Sequence, residues 1–134
     1  MNLKFLVTCD RCWVDETGKL SISGIFDEIN AKNFPTGLAE MATCAVILGK
    51  PNVQYTVKMK MKKEEDGAEI IKPVFLKGKF SEKGQSNLLV RMPNMMFKTE
   101  GKYIISLCDA SNSLELEFGN TTIQLKFKPI VVDK

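Results

Sequence analysis

Cys9-Asp10-Arg11-Cys12 is the spacing in this chain with the most obvious chemistry. Two thiolates three residues apart can ligate a metal or exchange with a disulfide, and Cys44 and Cys108 would complete a tetrahedral four-thiolate zinc set. The second pair, however, is two isolated residues on separate expected strands, not a knuckle. Redox motifs of this spacing open a helix that lowers the thiol pKa, and no helix is expected here. Four Cys in 134 residues are also too sparse for a disulfide framework. Free, buried thiols are the expectation, with no metal and no cofactor.

Charge offers a second candidate. Lys58, Lys60, Lys62 and Lys63 form a basic stripe, which Lys126 and Lys128 would extend if their strands are neighbours. Such a face could hold the phosphates of an anionic polymer or an anionic small ligand. Nucleic-acid surfaces usually interleave aromatic stacking residues, whereas Met and Val stand between these lysines. The net charge of +3 falls short of a committed nucleic-acid binder. Lys on strands also protects sheet edges from unwanted pairing. A solvated, protective face is the plainer reading.

Other constellations resolve into structure. Asp10, Asp15, Asp27 and Asp109 lack the close spacing of a calcium loop and suit strand-end turns. Pro93-Asn94-Met95-Met96-Phe97 reads as a loop plugging one end of the fold, with an adaptable Met surface as the alternative. His is absent, which removes the commonest side chain for proton transfer near neutral pH. No Gly-rich phosphate loop or nucleophile elbow is present. The chain does not read as an enzyme, and no catalytic, cofactor-binding or metal residue is assigned.

The elements that must position these residues are strands. Val53, Tyr55, Val57, Met59 and Met61 alternate with polar residues, a period of two that buries one face of a strand. Ile123, Leu125 and Phe127 repeat the pattern, as do Tyr103, Ile105 and Leu107. Leu114, Leu116 and Phe118 form a shorter set with Glu115 and Glu117 outward. Turn signals at Glu16–Lys19, Glu65-Asp66-Gly67, Lys83-Gly84, Glu100-Gly101 and Gly119-Asn120 separate the runs. One longer connection, about Asn30–Glu40, should cross between sheets, with at most a helical turn near Gly37–Met41.

About eight strands at this spacing predict an all-β, antiparallel two-sheet sandwich formed by one domain spanning 1–134. Glu100-Gly101-Lys102-Tyr103 matches a tyrosine corner, in which a Tyr entering a late strand bonds back to nearby backbone. That favours an immunoglobulin-like arrangement. No apolar run approaches the roughly 20 residues of a membrane span. Asp10 and Arg11 interrupt the N-terminal apolar stretch too early for a signal peptide, so a cytoplasmic location is expected.

Cys9-Asp10, Val14-Asp15 and Gly18-Lys19-Leu20-Ser21-Ile22-Ser23-Gly24-Ile25-Phe26-Asp27 together resemble the opening of a bacterial family of domains of unknown function. Phe34-Pro35, Gly49-Lys50-Pro51, Asn87-Leu88 and Phe97–Tyr103 fall where that family has similar elements. The resemblance implies a small single-domain β-sandwich in a bacterial or bacteriophage-related cytoplasmic setting. It brings no activity, substrate or catalytic residue with it. Cys12 and Trp13 lie outside the shared pattern.

The function expected from these readings is a non-catalytic binding or assembly module, acting on a protein partner or a second copy at edge strands or end loops. Leu3–Thr8 is the expected docking edge and Leu114–Phe118 the second candidate. The alternatives are an anion binder using Lys58, Lys60 and Lys62, and a thiol or metal protein using Cys9 and Cys12.

Overall fold

The structure, a computed structural model, describes residues 1–128. Its ordered elements are strands, and the described residues contain no helix. One sheet has four strands in the order β2 (Leu20–Phe26), β1 (Asn2–Val14), β5 (Ala42–Leu48) and β8 (Gln85–Arg91). The second has five, in the order β3 (Glu28–Ala31), β11 (Leu116–Phe127), β10 (Gly101–Asp109), β6 (Gln54–Lys63) and β7 (Val74–Lys79). A small ribbon of β4 (Thr36–Leu38) and β9 (Met95–Phe97) makes eleven strands in all among the described residues, more than the eight expected. The two large sheets enclose one core in a sandwich-like arrangement.

Alternation does the packing. Tyr55, Val57, Met59 and Met61 from β6, Tyr103, Ile105 and Leu107 from β10, and Ile123 and Leu125 from β11 are all buried in one cluster. Leu6, Ala45, Ile47, Leu88 and Val90 reach it from the four-stranded sheet. Leucine- to tyrosine-sized side chains gain roughly 1.5–3 kcal/mol each when fully buried, so this interior is the main source of stability. Tyr55 also ties the sheets together, its hydroxyl lying 2.7 Å from the Ser86 hydroxyl of β8.

Several expectations are corrected. The pairing is not wholly antiparallel, because β3 runs parallel to β11. Phe127 and Val53, at the ends of their alternating runs, are exposed. Leu116 opens the long strand β11, and Leu114 and Leu116 face solvent. Gly119-Asn120 lies within that strand at a register shift, not in a turn. Gly37 and Leu38 are strand, not a helical turn. The connection after β3 does cross between sheets, but the chain has already changed sheets once at Asp27, between β2 and β3.

Local turn chemistry follows the sequence more closely. The Asp15 carboxylate accepts hydrogen bonds from the Thr17 amide (2.9 Å), the Thr17 hydroxyl (2.7 Å) and the Lys19 amide (2.9 Å). Those donors, led by the Thr17 hydroxyl, hold its pKa below the usual carboxylate range. Gly18 completes that turn at φ +83°, a conformation that suits Gly. The Tyr103 hydroxyl donates to the Thr99 carbonyl at 2.6 Å, closing the loop before β10.

Candidate functional site

The three expected kinds of site fare differently. Cys9 and Cys44 are fully buried, and Cys12 packs against them with Phe5, Val7, Leu20, Ile22 and Ala42. This cluster lies on the outer face of the four-stranded sheet, since Leu6, between Phe5 and Val7, points into the main core. Strict alternation would turn Cys12 away from Cys9. The β1–β2 register skips Asp10 and Gly24, and Gly24 stands at φ +70° with the Asp10 carboxylate against it. That irregularity lets Cys12 share the face of Cys9.

Burial decides the chemistry of these thiols. It pushes the Cys9 pKa up to about 11, with the neighbouring Cys12 and the Asp10 charge adding to the effect. It pushes Cys44 up to about 12, with Cys12 and Cys9 contributing. The Cys9 thiol donates to the Ala42 carbonyl at 3.7 Å, as a neutral group would. Thiols held protonated at neutral pH are poor nucleophiles and poor metal ligands. Cys108, on β10, shares its face with Lys58 on the far side of the sandwich, so the four thiols do not converge. Among the described residues no three His, Cys, Asp or Glu side chains are grouped to hold a metal ion.

The lysine stripe is partly neutralised where it stands. Lys58 reaches Glu115 at 3.2 Å and lies 5.5 Å above the Phe75 ring. Lys60 and Lys62 line a depression of about 210 Å³ together with Glu69 and Glu117. Lys126 pairs with Glu28 at 3.3 Å, and β10 separates its strand from β6, so the stripe is not extended. Of the four aspartates expected at turns, Asp15 and Asp109 serve them, Asp109 accepting from the Ser111 amide at 2.9 Å, whereas Asp10 lies within β1. The Pro93–Phe97 segment is not simply a loop: Met95–Phe97 is strand β9, paired with β4, with Met95 and Phe97 buried and Met96 exposed.

The strand edges extend beyond the two expected. Leu3–Thr8 belongs to β1, where β5 pairs Asn2–Cys9 on one side but β2 pairs only Thr8–Val14 on the other. Leu3–Val7 therefore has a ladder partner on one side only. The second candidate leads into β11, which β10 pairs from Leu116 onward and β3 only over Gln124–Phe127. Leu116–Phe118 is thus also paired on one side only. The outermost strands are β2 and β8 of one sheet and β3 and β7 of the other. β3 has only four residues and carries Glu28, β7 carries Lys77 and Lys79, and β8 ends on Arg91.

β2 differs from the other three. Its seven residues, Leu-Ser-Ile-Ser-Gly-Ile-Phe, include no charge and no Pro. Ser23, Gly24 and Ile25 are exposed in succession, Ile25 to 63%. Among the described residues, β2 has no ladder partner on its outer side. A groove of about 310 Å³ runs alongside, lined by Ile25, Phe26, Ile29 and Leu38 with Asp10 and Glu28 at its rim. The absence of charge in the string Leu20–Phe26 was readable in the sequence, but its position at an edge was not.

Fold and site define a small all-β, sandwich-like protein whose most distinctive surface is an unguarded strand edge. The chain belongs to a family of unknown function, DUF6941, whose model matches residues 4–118. No curated protein matches it. Among solved structures it resembles part of a β-glucosidase from Listeria innocua crystallised with isofagomine, at 6% identity and a TM-score of 0.47. That match covers 95% of this chain and 16% of the glucosidase, and says nothing about activity. No helix among the described residues is long and apolar enough to cross a membrane.

Proposed function

We propose that this protein is a non-catalytic assembly module of immunoglobulin-like type that binds protein through the open edge of β2. The observation that carries the reading is the contrast among the open edges: β3, β7, β8 and the half-paired starts of β1 (Lys4) and β11 (Glu117) carry charged residues, and β2 carries none. Unpaired N–H and C=O groups on such an edge accept an incoming strand, and proteins ordinarily block them with Lys, Pro or short length. The tyrosine-corner bond from Tyr103 to Thr99 supports the immunoglobulin-like type. The lack of His and the protonated state of Cys9 and Cys44 favour binding over catalysis. A bacterial setting is expected from the opening motif, and a cytoplasmic one from that motif and the charges at Asp10 and Arg11.

The reading is tested by affinity capture from the native host with three baits: the wild type, Ser23→Lys with Ile25→Lys, and Lys58, Lys60 and Lys62 each changed to Glu. The expected result is a protein held by the wild type, lost with the β2 variant and kept by the charge-reversed one. Loss confined to the charge-reversed bait, strongly dependent on salt, would instead identify the lysine face as an anion-binding site.

A further inference from the structure

We infer that the strand accepted by β2 is the β2 of a second copy of this chain, giving a twofold dimer with a continuous eight-stranded sheet. The inference rests on the proposed role of the β2 edge and names its occupant. The first ground is that β2 offers no charge by which a partner of opposite sign could be selected. What it offers is a pattern complementary to itself. An antiparallel twofold at Ile22 sets Ile22 against its own copy, Ser21 against Ser23, and Leu20 against Gly24, where the missing side chain leaves room. Lys19 then faces Ile25 and not another cation, so the pairing brings no like charges together along the strand.

The second ground is the thiol cluster on the outer face. Its interior, Cys9, Ala42 and Cys44, is sealed, but Cys12, Leu20 and Ile22 are only half-buried on the side toward the β2 edge. Apolar side chains left half-covered beside an open ladder gain most from a neighbour that brings both a strand and more apolar surface. The Leu20 and Ile22 of a second copy supply both and continue the cluster across the twofold.

The third ground is the exposed apolar rim. Pairing of one seven-residue strand covers less than the roughly 1,200 Å² at the lower end of stable interfaces. Trp13 and Val14, at the end of β1 beside β2, are about half exposed, and Ile25 more so. These residues flank the edge and provide the additional apolar surface a stable dimer needs.

The test is the mass of the purified full chain in solution, by sedimentation over a wide concentration range. The wild type is expected to approach twice its 15.0 kDa chain mass as concentration rises. Ser23→Lys with Ile25→Lys places cations on exposed positions of the edge and should leave a monomer with an unchanged strand circular dichroism spectrum. Lys77→Glu with Lys79→Glu, on the opposite edge, should leave the dimer intact. A wild type that stays monomeric throughout overturns the second-copy inference. So does a dimer that survives the β2 lysines. Neither result decides whether β2 holds a different protein, because the three-bait capture reads that separately.

Discussion

The edges β2 and β7 lie in different sheets of one molecule and have opposite characters. β7 places Lys77 and Lys79 at exposed positions, and its Gly78 is pressed against the Tyr55 ring. Tyr55 in turn bonds Ser86, so this side of the fold is tied from sheet to sheet. β2 has no charge, and it is held at its Phe26 end, where the Thr8 hydroxyl donates to the Phe26 carbonyl. Both edges expose apolar side chains, Phe75 on one and Ile25 on the other, so hydrophobicity does not separate them. The difference is what surrounds the apolar residue. Phe75 lies under the Lys58 ammonium, whereas Ile25 borders an open groove. Exposure of a large apolar residue is thus a weak sign of docking, and an edge without gatekeepers is a stronger one.

The comparison can be sharpened by matched substitutions. Gly78→Val forces a side chain into the Tyr55 ring and should destabilise the fold by about 1–3 kcal/mol, the usual cost of overpacking. Ser23→Val on β2 adds similar bulk at an exposed position and should stay within about 0.5 kcal/mol. Denaturant midpoints measure both, and equal losses would mean that β2 is as constrained as β7. An effect between these two is expected at Tyr103, which anchors a loop away from β2. Tyr103→Phe removes the bond to Thr99 and should cost about 0.5–1.5 kcal/mol in the same experiment, with the β2-dependent assembly unchanged.

The thiol cluster beneath β2 gives a pH signature. An unfolded thiol ionises near 9.0, whereas Cys9 in the fold keeps its proton to about 11. Between those values the native chain holds more protons than the unfolded one, so stability falls as pH rises. Cys44, held protonated to about 12, prolongs the decline. The contribution is complete below pH 9.0 and is lost through the folded values. Thermal melts should therefore show a decline above pH 9.0 that is shallower in Cys44→Ala than in the wild type.

Much of the fold was legible because one physical rule wrote it. The alternation in β6, β10 and β11 requires one face inside, and Val57, Met59, Ile105 and Leu125 are all buried. Asp15 and Tyr103 were legible because their bonds are local, reaching two to four residues along the chain. The edges were not. A period of two says which side chains face inward but not which strand lies beside which. That order depends on pairings between distant segments, such as β1 with β5 and β3 with β11. Leu3–Thr8, which carries one lysine, does keep one side unpaired as far as Val7, but β5 fills the other, and the edge at β2 was not foreseen. The meeting of Cys44 with Cys9 was hidden for the same reason, since Cys44 arrives opposite Val7 from a separate strand.

That β2 is the edge through which this protein binds a second copy of itself is read out by amide hydrogen exchange followed strand by strand as the protein concentration rises. The outward-facing amides of an edge strand exchange readily until another strand pairs with them. Amides in Leu20–Phe26 are expected to gain protection with concentration, while those in Val74–Lys79 do not change. Protection that appears along Val74–Lys79 while Leu20–Phe26 exchanges at one rate throughout would contradict that assignment.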